Sequence, residues 1–139
     1  WLVLLRPTSP LRTTDGIARF KNLLISKEGS EVSSVRSVIA APISPYKMWL
    51  QREEFLDAFP AAHETDISEP FNSPRQLLPP VYWQTGTYDA YRIGNIRSGF
   101  LSGKKIFAFH AHHDEVDIDD YPDLKLAEEA CKKAESQWV

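Results

Sequence analysis

The chain contains a single cysteine, Cys131, so no internal disulfide framework can staple it, and a lone thiol in a helix-like tail fits a reducing compartment. It has no excess of basic charge. Sixteen Lys and Arg stand against nineteen Asp and Glu, a net charge of −3 with the signs interspersed, which leaves no basic stripe for a nucleic-acid polymer. Long apolar runs are missing too. Leu2-Val3-Leu4-Leu5 after Trp1 is far short of a membrane span, and neither a basic n-region nor a small-residue cleavage site makes it a signal peptide. Internal repeats and low-complexity tracts are absent. What is present, 139 residues with 42% hydrophobic and 25% charged, suffices for one ordinary domain with a real core. The first residue is Trp rather than Met and already lies in a strand-like run, so the expectation is a piece of something longer.

Along the chain, Trp1 to Leu5 reads as a buried strand, broken by Pro7 and Pro10 in the loop Arg6 to Arg12. Thr13 or Thr14 can cap a helix carrying Ile17, Phe20, Leu23 and Leu24 on one face, with Gly29 where a left-handed stop would fall. Val35 to Ala41 reads as the next strand. Strand, helix and strand make a βαβ unit, whose strand-end loops are the usual ligand sites, so Thr8 and Ser9 occupy a telling place. From Pro42 to Pro80 the prolines crowd, and only Gln51 to Phe59 is helix-compatible. Long irregular excursions tend to be functional or interface-forming, which singles out Lys47 and Arg75. Strand-like alternation resumes at Thr85 to Arg92. A turn-rich stretch to Gly103, a short strand at Lys105 to Phe109 and an acidic strand lead to a closing helix from Asp120 or Tyr121, with Leu124, Ala127, Cys131 and Ala134 on one stripe.

Asp117-Ile118-Asp119 carries the most chemistry. Strand alternation sends Val116 and Ile118 inward and stands the two carboxylates together, an arrangement suited to Mg²⁺ (or Mn²⁺), which takes a few carboxylates and keeps waters or phosphate oxygens. The plainer reading is that these acids simply lead into the helix. His110, His112 and His113 offer a second metal reading, a Zn²⁺ hydrolase site.

Several strings occur together in one order. Leu4-Leu5-Arg6-Pro7-Thr8-Ser9-Pro10-Leu11-Arg12, Ser33-Ser34-Val35-Arg36-Ser37-Val38, Ser44-Pro45-Tyr46-Lys47-Met48-Trp49, Pro74-Arg75-Gln76 and Val116-Asp117-Ile118-Asp119 with Leu126-Ala127-Glu128 resemble the nucleotide-sugar cytidylyltransferases that activate sialic and related nonulosonic acids. The resemblance spans nearly the whole chain. It implies an α/β, three-layer Rossmann-like nucleotidyltransferase fold with a mostly parallel sheet, N-terminally truncated, with a dimerising excursion at residues 42–84. It also implies a cytoplasmic enzyme that moves CMP from CTP to the anomeric hydroxyl of an acidic sugar, as a homodimer. Asp117 and Asp119 match the family's metal ligands, and Arg75, followed by Gln76, its carboxylate-binding arginine, whose planar fork suits that group. Lys47 matches a basic residue near the sugar and Phe100 an apolar wall. Thr8 and Ser9 can offer hydroxyls, while Arg12 is expected to tie the loop down.

Two departures bear on the sugar. Arg6 stands where many members have Gln, and Thr85-Gly86 where they have Asn-Gly, so a second cation and a hydroxyl replace amide groups. The family's glycine-rich, Arg/Lys-containing triphosphate loop is not in these residues, so this piece is expected to be inactive alone. A non-catalytic sugar- or nucleotide-binding or assembly module is the alternative from another class.

Overall fold

In the computed structural model, which describes residues 1–111 and 117–136, the chain divides into two units, Trp1–Ile39 with Gln84–Val139 and Ala40–Trp83. The elements run β1 (Leu2–Leu4), α1 (Thr14–Ser26), β2 (Ser34–Ala40), β3 (Trp49–Arg52), β4 (Phe55–Ala58), β5 (Tyr82–Tyr91), α2 (Ile93–Arg97), β6 (Ile106–His110) and α3 (Tyr121–Ser136).

Local chemistry explains the helices of the first unit. Thr13 is the N-cap of α1, its Oγ1 accepting from Gly16 N at 3.0 Å, and Asp15 in the first turn favours the positive end of the helix. The chain leaves α1 at Lys27 and turns through Gly29 at φ +71°. For α3, Asp120 Oδ1 accepts from Asp123 N, and Asp123 Oδ2 accepts from the amides of Asp119 and Asp120, a reciprocal cap. α1 buries Phe20 and Leu24 against Val35, Tyr88, Ala90 and Phe109. Phe20, Tyr88 and Phe109 meet ring to ring at 5.1 to 5.4 Å, two of the three contacts edge-on.

The four-stranded sheet has the order β1-β5-β2-β6, which corrects the mostly parallel, Rossmann-like expectation. β5 pairs antiparallel with β1, matching Val3 with Ala90. It also runs against β2, since Ala41 N bonds Val81 O at one end while Arg92 N bonds Ser33 O at the other. Only β2 and β6, paired from Ser34↔Ile106 to Val38↔His110, are parallel. The sheet is therefore mixed, and most of its pairings are antiparallel. β1 and β2 do point the same way across α1, but β5 is inserted between them. Alternation within a strand reports which face is buried and not which neighbour it pairs with, so this insertion was invisible in the sequence.

Other expectations change as well. The stretch Trp1 to Leu5 holds only the three-residue edge strand Leu2–Leu4 rather than a buried strand, with Leu2, Val3, Leu4 and Leu5 each at least 40% exposed. Residues 117–120 are irregular rather than a strand, and α2 occupies part of the stretch read as turns. His112, His113 and Val116 lie outside the described residues.

In the second unit, the helix-compatible stretch near Gln51 to Phe59 is instead a hairpin. β3 and β4 pair antiparallel from Trp49↔Ala58 to Arg52↔Phe55 around Glu53-Glu54, with Glu53 at φ 54°. A two-residue loop with a left-handed first residue matches the twist of paired strands. Three of the four 3₁₀ turns, Pro45–Lys47, Pro60–His63 and Pro70–Asn72, begin on a proline whose fixed φ suits a helix start, and Trp49 packs on Phe71 at 4.6 Å. Among the described residues, no helix is long and apolar enough to cross a membrane.

Candidate functional site

β1, β2 and β6 share one direction, so the loop after β1 and the segment after β6 leave the same end of the sheet. There they meet. Ile118 N donates to Thr8 O at 2.8 Å, and the fully buried Ser9 donates its Oγ to Asp117 Oδ1 at 3.4 Å. Ser9 N also closes a turn onto Arg6 O at 3.2 Å. Ile118, the apolar residue between the two acids, is partly buried and lines one cavity with Pro10 and with Leu124 and Ala127 of α3.

The cap of α3 uses the carboxylates of Asp120 and Asp123, which separates them from Asp117 and Asp119. Asp119 lends the cap only its amide. Its side chain is exposed, and Asp117 is partly exposed. Two reachable oxygen ligands of this kind fit Mg²⁺, which needs one or two carboxylates and completes its shell with water and phosphate. Among the described residues, no group of three or more His, Cys, Asp and Glu side chains is gathered for a metal, so a closed zinc-type cage is not formed there. His110 lies on β6.

The other candidates divide between the units. Arg6 reaches Asp89 Oδ2 with Nη2 at 3.3 Å. Thr85 is buried and donates to Ser37 Oγ at 2.8 Å, while Ser37 Oγ accepts from Tyr88 N at 2.9 Å, so the Thr85 hydroxyl joins β5 to β2. Phe100 is 67% exposed and lines a cavity of about 620 Å³ with Ser33, Asn95, Gly103 and Lys105. Ser33 precedes β2, so that cavity opens at the end of the sheet opposite Thr8 and Asp117. Lys47, Arg75 and Gln76 belong to the second unit, where Arg75 and Gln76 line a cavity of about 340 Å³ with Ser44 and Tyr82. Both terminal nitrogens of Arg75 are engaged by backbone, Nη2 on Ala41 O at 2.5 Å and Nη1 on Pro42 O at 3.0 Å.

One group was missed by sequence reasoning. Asp89 is fully buried on β5, and Arg36 Nη1 at 3.0 Å, Arg6 Nη2 at 3.3 Å and the Tyr91 hydroxyl at 3.4 Å all converge on its Oδ2. Arg36 further donates to Ser102 Oγ at 2.8 Å and lies over the Tyr91 ring. Burial and the Asp89 charge push the Tyr91 hydroxyl pKa above its ordinary value of 10.0, against a smaller opposing effect of Arg36. Arg12 holds the adjoining backbone, donating to Arg6 O at 2.7 Å and Thr87 O at 3.4 Å. The available signal was an aspartate inside the strand-like run Thr85 to Arg92, where a charge requires a partner.

No known family model matches the chain, and a search of curated proteins returns no significant match.

Proposed function

We propose that the chain is the acceptor and metal side of an enzyme that transfers CMP from CTP to the anomeric hydroxyl of an acidic sugar, of the sialic or nonulosonic class. The observation that carries the reading is the meeting of the Thr8-Ser9 loop with Asp117, through Ser9 Oγ to Asp117 Oδ1 and Ile118 N to Thr8 O. It joins two of the strings that resemble the cytidylyltransferases at one end of the sheet. In the reaction the sugar oxygen bonds the α-phosphorus, the bond to pyrophosphate breaks, and the hydroxyl proton passes to water. Asp117 and Asp119 would hold Mg²⁺ or Mn²⁺, which supplies offsetting charge for the phosphate oxygens when bound. Ser9 fixes the Asp117 carboxylate, and the Ile118 amide on Thr8 O ties the segment that carries both acids to the loop after β1.

The family's glycine-rich triphosphate loop is not within these residues, so the reading concerns a protein in which that loop is supplied. Exposed Phe55 and Leu56 on the hairpin and Leu77 support pairing of two copies through residues 42–84.

The test is pyrophosphate release by protein expressed from the complete reading frame, with CTP, Mg²⁺ and a panel of acidic sugars, the 139-residue chain being run alongside. Release requiring both CTP and one sugar is expected, and Asp119→Asn should lower kcat by about a hundredfold or more at saturating CTP. Absence of release from folded protein with every sugar would sink the transferase and favour a binding module.

A further inference from the structure

We infer that Arg6 receives the carboxylate of the acidic acceptor and that buried Asp89 is the positioning residue that aims it. This rests on the transferase reading and names the group within that site which recognises the ligand's charge. Arg6 follows β1 and opens the turn closed by Ser9, so it is tied within four residues to the side chain that holds Asp117. Its side chain is 40% exposed. Nη2 is directed at Asp89, and a guanidinium has five N–H donors, so several remain for a ligand.

Asp89 cannot meet a ligand itself, because it has no exposed surface. What it can do is orient. Its Oδ2 gathers Arg6 and Arg36, and Arg36 is anchored in turn by Ser102 and the Tyr91 ring. Two guanidinium charges against one carboxylate leave one positive charge unmatched, the balance that an incoming carboxylate completes. Gly86 makes room for this geometry. A Cβ there would lie 2.7 Å from Arg6 Nη1 and 2.9 Å from Cζ, so the guanidinium rests against bare backbone. Arg75, the arginine that the resemblance assigns to this task, instead has both terminal nitrogens on the carbonyls of Ala41 and Pro42.

The experiment compares binding of N-acetylneuraminate and its uncharged methyl ester to the chain by titration calorimetry. A charge-assisted, forked contact should favour the acid by about tenfold to a hundredfold. Arg6→Gln should erase that preference, Arg6→Lys should restore only part of it, and Asp89→Asn should weaken it with the affinity for the ester unchanged. In the active protein, Arg6→Gln should raise KM for the sugar while leaving KM for CTP unchanged. Should Asp89→Asn fail to fold, the two Arg6 variants decide the matter alone. The inference is overturned if the wild-type chain shows no preference for the acid, if Arg6→Gln retains it, or if Arg75→Gln removes it while Arg6→Gln does not. A preference for the acid that depends on Arg6, without pyrophosphate release from the complete protein, would retain this site and discard the transferase.

Discussion

Substituting alanine for Gly86 tests the backbone and the arginine together. Gly86 sits inside β5 at φ +72°, in the left-handed region, where a side chain costs about 1–2 kcal/mol. The new methyl would also meet Arg6 Nη1 at 2.7 Å and Cζ at 2.9 Å. The guanidinium is the free end of a flexible chain, so it would move aside rather than strain the sheet, and its bond to Asp89 would be lost. Because that side chain is 40% exposed, solvent screens the pair, and its loss should cost no more than about 1 kcal/mol. Gly86→Ala should therefore destabilise the chain by about 1–3 kcal/mol, as the sum of the left-handed and ion-pair costs. In an Arg6→Ala background the same change should cost only about 1–2 kcal/mol, since the obstructing group is gone. Urea unfolding of the four members of this double-mutant cycle reads the coupling directly. Equal costs in both backgrounds would refute the Arg6 contact, and a neutral Gly86→Ala would refute the left-handed backbone.

A second glycine makes a related test in α1, where a methyl at position 16 would overlap the hydroxyl of fully buried Tyr88 and lie 3.1 Å from its Cζ. Overpacking of about 1–3 kcal/mol should outweigh a helix-propensity gain of about 1 kcal/mol, so Gly16→Ala should lower Tm, and it should do so less or not at all in a Tyr88→Phe background. For Tyr91 the folded state holds the phenolic proton more tightly than the unfolded chain, whose value is 10.0, so its contribution is intact below that pH and is lost as pH rises from there through the higher folded-state value. The urea midpoint should fall as pH rises above about 10, and Tyr91→Phe should flatten that fall; an unchanged slope would refute the buried environment of the phenol.

Much of the local structure was legible because it is written in short-range chemistry. Thr13, the 3.6-residue spacing of Phe20 and Leu24, and the left-handed Gly29 define α1 without reference to the rest of the chain. Asp120 and Pro122 likewise mark the start of α3. The hairpin at Trp49–Arg52 and Phe55–Ala58 was misread as helix-compatible because its turn uses Glu53-Glu54 rather than Asn-Gly or Asp-Gly, which hid the left-handed residue.

The sequence by itself determined that α1 and α3 are helical, that Phe20 and Leu24 face a core, and that Asp117 and Asp119 stand two apart around an apolar Ile118. Tertiary structure decided the rest. Insertion of β5 between β1 and β2 made the sheet mixed, because strand pairing is chosen by hydrogen-bond partners far apart in the chain. The same insertion brought Asp89 of β5 to Arg6 after β1 and Arg36 of β2, across 83 and 53 residues. A buried carboxylate survives only where cations meet it, and no local pattern announces where those cations will come from.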